Sequence, residues 1–450
     1  MWCRYRAVRV RWLSATNAAV LGGALALGLA AASPAAASLR TAGNAGTAGS
    51  SRPVSLLRTF EPSLAPVQQG ELMASDGTEN RFFARSVAIS ADGTTAVLGT
   101  NERGTGRGVA YVFTWSGSGW QQSAELTASD GATGDRFGVS VAISADGDTI
   151  LVGAPGRPYG GGTGGAYVFT RSGPHWVQSA ELIPGNAAGG EALGWSVSIS
   201  ADGNTALMGA YGRDGNTGAA WVFTRSWRGW EQSAELTASD GVSGDFFGIS
   251  VAISADGDTA IVGAYARDSS KGAAYVFTRS WRGWQQSAEL TASDGVSGNE
   301  FGASVAISGD GTTAIVGAAS RHFGEGAAYV FNWSLQGWRQ SAELTARDAV
   351  DGQGFGSSVA IAADTGTVLI GSSGLHSGTG GAYLFTWSGA AGWRQSAELT
   401  ASDGADNDQF GSSVAISAYG DTELIGAPQR DSDTGAGYVF TIPFTIPFGL

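Results

Sequence analysis

The chain has 450 residues, 71 of them glycine and 15 tryptophan, with 14% charged residues and a formal net charge of −13. So much glycine with so little charge suits short strands and tight turns, and excludes a coiled coil or a disordered acidic tail. The acidity excludes nucleic acid and an anionic membrane surface as partners, because both select a basic face.

At the N-terminus Arg4, Arg6, Arg9 and Arg11 precede an apolar run from Ala18 to Ala32, and Ala35-Ala36-Ala37 stand before Ser38. A basic start, a short apolar stretch and small residues at −3 and −1 read as a secretory signal peptide over residues 1–37. The run is short for a bilayer span; an uncleaved anchor is the alternative. Removal of this segment takes away four arginines and no acid, so the charge falls from −13 to −17. Cys3, the single cysteine, leaves with it, and the mature chain has no thiol, disulfide or cysteine-based zinc site. The product is expected to be secreted or on the cell surface, a monomer without a transmembrane segment. Residues 38–66, rich in Ala, Gly, Ser, Thr and Pro, read as a flexible leader.

From there the chain repeats itself. SVAIS or a close variant begins at Ser86, Ser140, Ser196, Ser250, Ser304, Ser358 and Ser413, in steps of 54 to 56 residues. That period, without helical periodicity, fits a four-stranded propeller blade. In the unit starting at Ser250, Ser250–Ser254 alternates bulky Val251 and Ile253 with small residues, and Asp256-Gly257 signals a tight hairpin. Thr259–Ala264, Ala273–Thr278 and Trp284–Thr291 follow as second, third and fourth strands. Unequal faces on one strand suit radial stacking, in which both sides of every sheet are buried.

The fourth strand recurs as Glu125-Leu126, Glu181-Leu182, Glu235-Leu236, Glu289-Leu290, Glu343-Leu344 and Glu398-Leu399. Its seventh copy, Glu71-Leu72, stands at the start, and the chain stops soon after the third-strand segment Gly437–Thr441. A closed ring needs this permutation; an open solenoid would instead need polar caps. The expected fold is therefore all-β, a seven-bladed propeller of four-stranded antiparallel blades over residues 67–441, closed by the N-terminal strand. Residues 442–450, with two TIPF-like turns of sequence, form a tail whose prolines make a poor central strand.

These units resemble FG-GAP repeats, found in the propeller of integrin α-subunits and in exported bacterial proteins. The FG element stands at Phe137-Gly138, Phe247-Gly248, Phe301-Gly302, Phe355-Gly356 and Phe410-Gly411, and is degenerate at Phe83-Ala84 and Leu193-Gly194. GAP is complete at Gly153-Ala154-Pro155 and Gly426-Ala427-Pro428, and reduced elsewhere. The resemblance implies a recognition or adhesion module. It does not carry calcium across: the family's DxDxDG loop is here a hairpin such as Ala145-Asp146-Gly147-Asp148, too short to wrap a cation that takes six to eight oxygens. No cofactor is expected.

Three recurrent series are candidates for chemistry. Paired acids follow the fourth strand as Asp130 and Asp135, Asp240 and Asp245, and Asp403 and Asp408. They read as turn caps, or as partial calcium ligands. Arg103, Arg157, Arg213, Arg267, Arg321 and Arg430 lie 17 residues after each SVAIS serine, with Leu375 breaking the series. They read as partners of the crossover acids, or as a ring of donors for an acidic or sugar ligand. Together Arg157, Arg213, Arg267, Arg321, Arg430, Asp135, Asp245 and Asp408 mark a candidate binding face for a protein or glycan. Tryptophans form the third series: Trp120, Trp176, Trp230, Trp284, Trp338 and Trp393 open fourth strands, and Trp115, Trp227, Trp281, Trp333 and Trp387 read as turn residues on the opposite face. Trp227 and Trp281 are candidate sugar platforms, and pinning of the outer strand is the plainer reading. The recurrent glutamate of AELT reads as an edge-strand charge. With three histidines in unrelated loops and no nucleophile elbow, HExxH or P-loop, the sequence points away from an enzyme.

Overall fold

The computed structural model describes residues 65–76, 81–157 and 162–442. The segments expected to be a signal peptide, and nearly all of those expected to be leader and tail, lie outside them. The described chain is a ring of seven antiparallel four-stranded sheets. Blades 1 to 6 span residues 86–126, 141–182, 196–236, 251–290, 304–344 and 355–399. Blade 7 combines 413–441 with Val67–Leu72.

Closure is direct. Val67–Leu72 pairs with Ala436–Thr441, setting Glu71 opposite Tyr438, in one sheet with Ser413–Ile416 and Thr422–Ala427. The first strand of every blade packs against the first strands of both neighbours, so these seven strands line the axis and the fourth strands form the rim. In the Ser250 unit the strands run Val251–Ile253, Thr259–Ala264, Ala273–Ser280 and Gly283–Leu290, within two residues of the sequence reading.

The unequal faces do what radial stacking requires. Val251 and Ile253 pack on Leu207 and Val222 of blade 3, while Ala252 on the other face meets the blade 5 cluster of Val305, Ala314 and Tyr329. Bulky meets small at this boundary; the second and third strands are largely buried on both faces, while the fourth alternates half-buried with exposed residues.

The FG and GAP residues hold the blades together. Phe301 is fully buried, its ring 5.5 Å from Tyr329 and 5.9 Å from Phe331 in T-shaped or tilted contacts. Gly302, at φ 93°, donates its N–H to the Gly317 carbonyl at 3.0 Å. A Cβ on Gly302 would strike the Ala273 carbonyl of blade 4, and one on Gly263 would strike the Gly302 carbonyl. Backbones of adjacent blades touch there, which only glycine allows. Ser250 Oγ donates to the same Gly302 carbonyl at 2.8 Å. The degenerate Leu193 has a packing reason. Its blade carries Trp221 where the others carry tyrosine, and the smaller leucine makes room within one cluster.

Opposite the crossovers, the first hairpins close on themselves: Ser144 Oγ and the Asp148 N–H both donate to Asp146. Backbone bonds then run from turn to turn, Ala418 to Ala91, Ala91 to Ala145, Ala145 to Ala201, Ala201 to Ala255 and Ala255 to Gly309, at 3.0–3.1 Å. Among the described residues no helix is long and apolar enough to cross a membrane.

Candidate functional site

The crossover-side face has two concentric zones. The outer zone repeats. In blade 5, Arg321 lies between Asp294 of the crossover (2.8 Å) and Glu343 of its own fourth strand (2.7 Å), and the Tyr329 hydroxyl donates to Asp294 at 2.8 Å. Blade 2 repeats this with Arg157, Asp130, Glu181 and Tyr167, and blade 7 with Arg430, Asp403, Glu71 and Tyr438. In blade 4 Arg267 binds Asp240 and the Tyr275 hydroxyl. Burial works against the charge of Asp130, Asp294 and Asp403, yet hydrogen bonds from arginine and tyrosine hold each carboxyl below its ordinary range. Burial pushes the tyrosine hydroxyls well up, and the bond to aspartate adds to it.

Sequence reading missed the tyrosine, although the signal was present. Each third strand carries it except in blade 3, where Trp221 stands and the crossover aspartate is also replaced, by Asn186. Arg213 there binds Glu191 at 2.7 Å and lies over the Trp221 ring. The AELT glutamate is thus an ion-pair partner in five blades rather than a bare edge charge.

The second-position acids do not face solvent. Asp135, Asp245 and Asp408 are buried, and each accepts an N–H from the residue three positions earlier, Ala132, Val242 or Ala405. Gln353 takes the same bond from Val350, which explains why glutamine serves there. Of the binding-face candidates, Arg157, Arg213, Arg267, Arg321 and Arg430 are paired with acids of the chain itself, and the three aspartates accept local backbone N–H groups.

The inner zone, at the crossover-side ends of the two innermost strands, does not repeat. After the FG glycine the seven units carry Arg85, Val139, Trp195, Ile249, Ala303, Ser357 and Ser412. After the second strand, blades 3 and 4 carry Tyr211 and Tyr265 where blade 5 has Ala319. Blades 3 and 4 thereby build a continuous aromatic row. Trp195 meets Tyr211 at 5.1 Å, Tyr211 meets Phe246 at 5.7 Å, and Phe246 meets Tyr265 at 5.4 Å between ring centroids. All four are half-buried, not core. Glu300, which accepts from Ser320 Oγ at 2.6 Å, follows in blade 5; burial and that carboxylate push the Tyr265 hydroxyl up.

Blades 1 and 2 set cations at the other end. Arg85 and Arg136 are exposed, and among the described residues neither pairs with an acid. Arg85 is nonetheless walled by protein, and burial together with Arg136 pulls its guanidinium down against Glu102. A cavity of about 600 Å³ lies here, lined by Asn101, Glu102, Arg136 and the backbones of Gly134 and Gly156, and reaches Ala192, three residues before Trp195.

One position in this zone is strained. The residue before the FG phenylalanine has φ of 56–58° in Phe82, Arg136, Ala192, Phe246, Glu300 and Gln409; only blade 6 uses glycine, Gly354. Glycine would suit every copy, so six side chains are kept at a cost of about 1–2 kcal/mol each.

A family model for the FG-GAP repeat matches seven times, over residues 66–113, 120–169, 176–223, 230–277, 284–331, 338–385 and 393–440. The chain belongs to the FG-GAP repeat family. No curated protein matches it closely enough to add a relative. Each FG-GAP match begins with a fourth strand and ends with a third, so the repeat is offset by one strand from the blade.

On the opposite face of the FG-GAP ring the tryptophan series divides. Trp115, Trp333 and Trp387 are not turn residues: they lie in third strands, opposite Trp120, Trp338 and Trp393. Trp227 and Trp281 sit two positions later, at hairpin tips, 87% and 86% exposed, with Arg228 and Arg282 stacked on them at 4.7 and 4.6 Å. Sequence reading merged two positions because both show a tryptophan just before the fourth strand. His175, His322 and His376 belong to blades 2, 5 and 6, and among the described residues no group of three or more His, Cys, Asp or Glu side chains is placed to hold a metal ion.

Proposed function

We propose that this FG-GAP propeller is an exported, non-enzymatic recognition module that binds a protein or surface glycan through the inner zone of its crossover-side face. One observation carries the reading: the scaffold repeats seven times down to single hydrogen bonds, while the residues ringing the axial mouth on this face differ from blade to blade. Packing alone would select one solution and repeat it. A discrete ligand selects a surface without that symmetry, and the strained side chains there are retained against a cheaper glycine. The basic and apolar N-terminal segment supports export.

The test compares the intact ring with one carrying Trp195→Ala, Tyr211→Ala, Tyr265→Ala and Arg136→Gln in capture from native cell-surface extracts. A partner held by the first and lost by the second supports the reading. Equal capture by both refutes the assignment of face, and reproducible turnover on a hydrolase substrate panel refutes the non-enzymatic part. Trp227 and Trp281 support a second surface, since two solvent-exposed indoles on one face form the kind of flat apolar platform that sugars use.

A further inference from the structure

We infer that the axial rim binds an oligosaccharide bearing a carboxylated sugar, with its ring faces on Trp195, Tyr211, Phe246 and Tyr265 and its carboxylate between Arg85 and Arg136. This rests on the recognition reading above and deepens it.

The two ends of the rim ask for different things from one ligand. Four half-buried rings in unbroken contact offer a curved apolar wall with polar edges, a surface that pyranose C–H faces cover well and bare hydrocarbon does not need. Arg85 and Arg136, which among the described residues form no ion pair, with Glu102 the acid acting on Arg85, offer planar donor forks of the kind that bind carboxylates through two parallel bonds. Between these ends the cavity is lined by Asn101, Glu102 and the backbones of Gly134 and Gly156, and the Asn101 amide and Glu102 carboxylate supply partners for hydroxyl groups.

Competing ligand classes fit less well. An extended peptide docks by adding a strand to a free sheet edge, and on this face every sheet is met end-on, its edges lying at the axis and at the outer rim. A dense polyanion meets a chain of net charge −13, which repels it beyond the reach of two arginines. The ligand therefore carries sparse charge on a mostly neutral, hydroxylated frame. Orientation follows as well: Glu300 at the aromatic end and the arginines at the other fix which end of the saccharide carries the carboxylate.

The experiment is calorimetric titration of the full-length chain with oligosaccharides bearing galacturonate, glucuronate or sialate, each beside its methyl ester, with a sulfated dextran oligomer and an acidic hexapeptide as further arms. Each rim variant imports a residue that the same position already holds in another blade: Arg136→Gln follows Gln409, and Tyr211→Ala and Tyr265→Ala follow Ala319. Thermal melts check that each variant folds. The expected result is saturable binding of a carboxylated oligosaccharide, weakened about tenfold by esterification and about tenfold by each of the three substitutions. Ester and acid binding equally, sulfated dextran or peptide binding in their place, or silence across the carboxylated set overturns the inference. If saccharide binding survives the rim variants and disappears in Trp227→Ala or Trp281→Ala, this site fails while recognition itself stands. If the carboxylated set is silent but a surface partner is still lost by the four-residue rim variant, the ligand class fails and the face stands.

Discussion

The outer and inner zones of one face obey opposite rules. Outside, Arg321, Asp294, Glu343 and Tyr329 recur with the same roles in blades 2 and 7; in blade 3 two members change together, Asn186 with Trp221, and in blade 6 Leu375 replaces the arginine alone. Inside, Trp195, Ala303 and Ser412 occupy one position with no common chemistry. Residues that only hold blades together are answerable to their neighbours in the ring. Residues at the mouth are free of that requirement, which is the freedom the proposed recognition role needs.

The contrast can be broken at several strengths. The largest effect belongs to the scaffold: Phe301→Ala, by emptying a fully buried contact with Tyr329 and Phe331, should cost about 3–5 kcal/mol in urea unfolding. A loss below about 1 kcal/mol would mean that the blade boundary is not held there. Glu423 is next, a fully buried carboxyl in blade 7 whose oxygens have no hydrogen-bond partner among the described residues, where blade 6 has Val368. Burial, with Asp421 adding to it, pushes its carboxyl from 4.5 up to about 8. The folded pKa lies above the unfolded one, so the unfolded chain ionises first. Stability is then lost as pH rises from 4.5 to about 8, at up to about 1.4 kcal/mol per pH unit. Glu423→Val should raise Tm far more at pH 8 than at pH 5, and an equal gain at both would remove the carboxyl as the cause.

Smaller changes sharpen the comparison. Arg321→Leu copies blade 6, where Leu375 stands, and leaves Asp294 and Glu343 without their cation; an equilibrium loss of about 1–2 kcal/mol is expected. Ala84, at φ 63° where the other units have glycine, should gain about 1 kcal/mol as Ala84→Gly. Arg136→Gly removes an exposed side chain from a left-handed backbone. It should gain up to about 1 kcal/mol in melting experiments while weakening whatever the rim binds. A variant that is both less stable and fully binding-competent would place Arg136 with the scaffold.

Repetition made the fold legible. The SVAIS register, the displaced Glu71-Leu72 strand and the alternation of Val251 and Ile253 with small residues each state a packing requirement in local sequence, and the strands lie within two residues of that reading. The site was harder to see for the same reason. Attention to recurrence singled out Arg157, Asp135 and their copies, which repeat because they serve the ring. Of Trp195, Tyr211, Phe246 and Tyr265 only the two tyrosines are one repeat apart, and the four occupy three different positions of the repeat. Only the curvature of the ring gathers residues 16 to 35 positions apart into one row, and the signal that could have found them was the column that varies.

The one-strand offset between repeat and blade bears on how such a chain can change in size. Because each repeat supplies the outermost strand of one blade and the three inner strands of the next, duplication or loss of a whole repeat leaves the junction of Glu71 with Tyr438 as it was. A lineage could in this way move between rings of six, seven or eight members by gene-level copying alone, and only the wedge angle between neighbours would have to adjust.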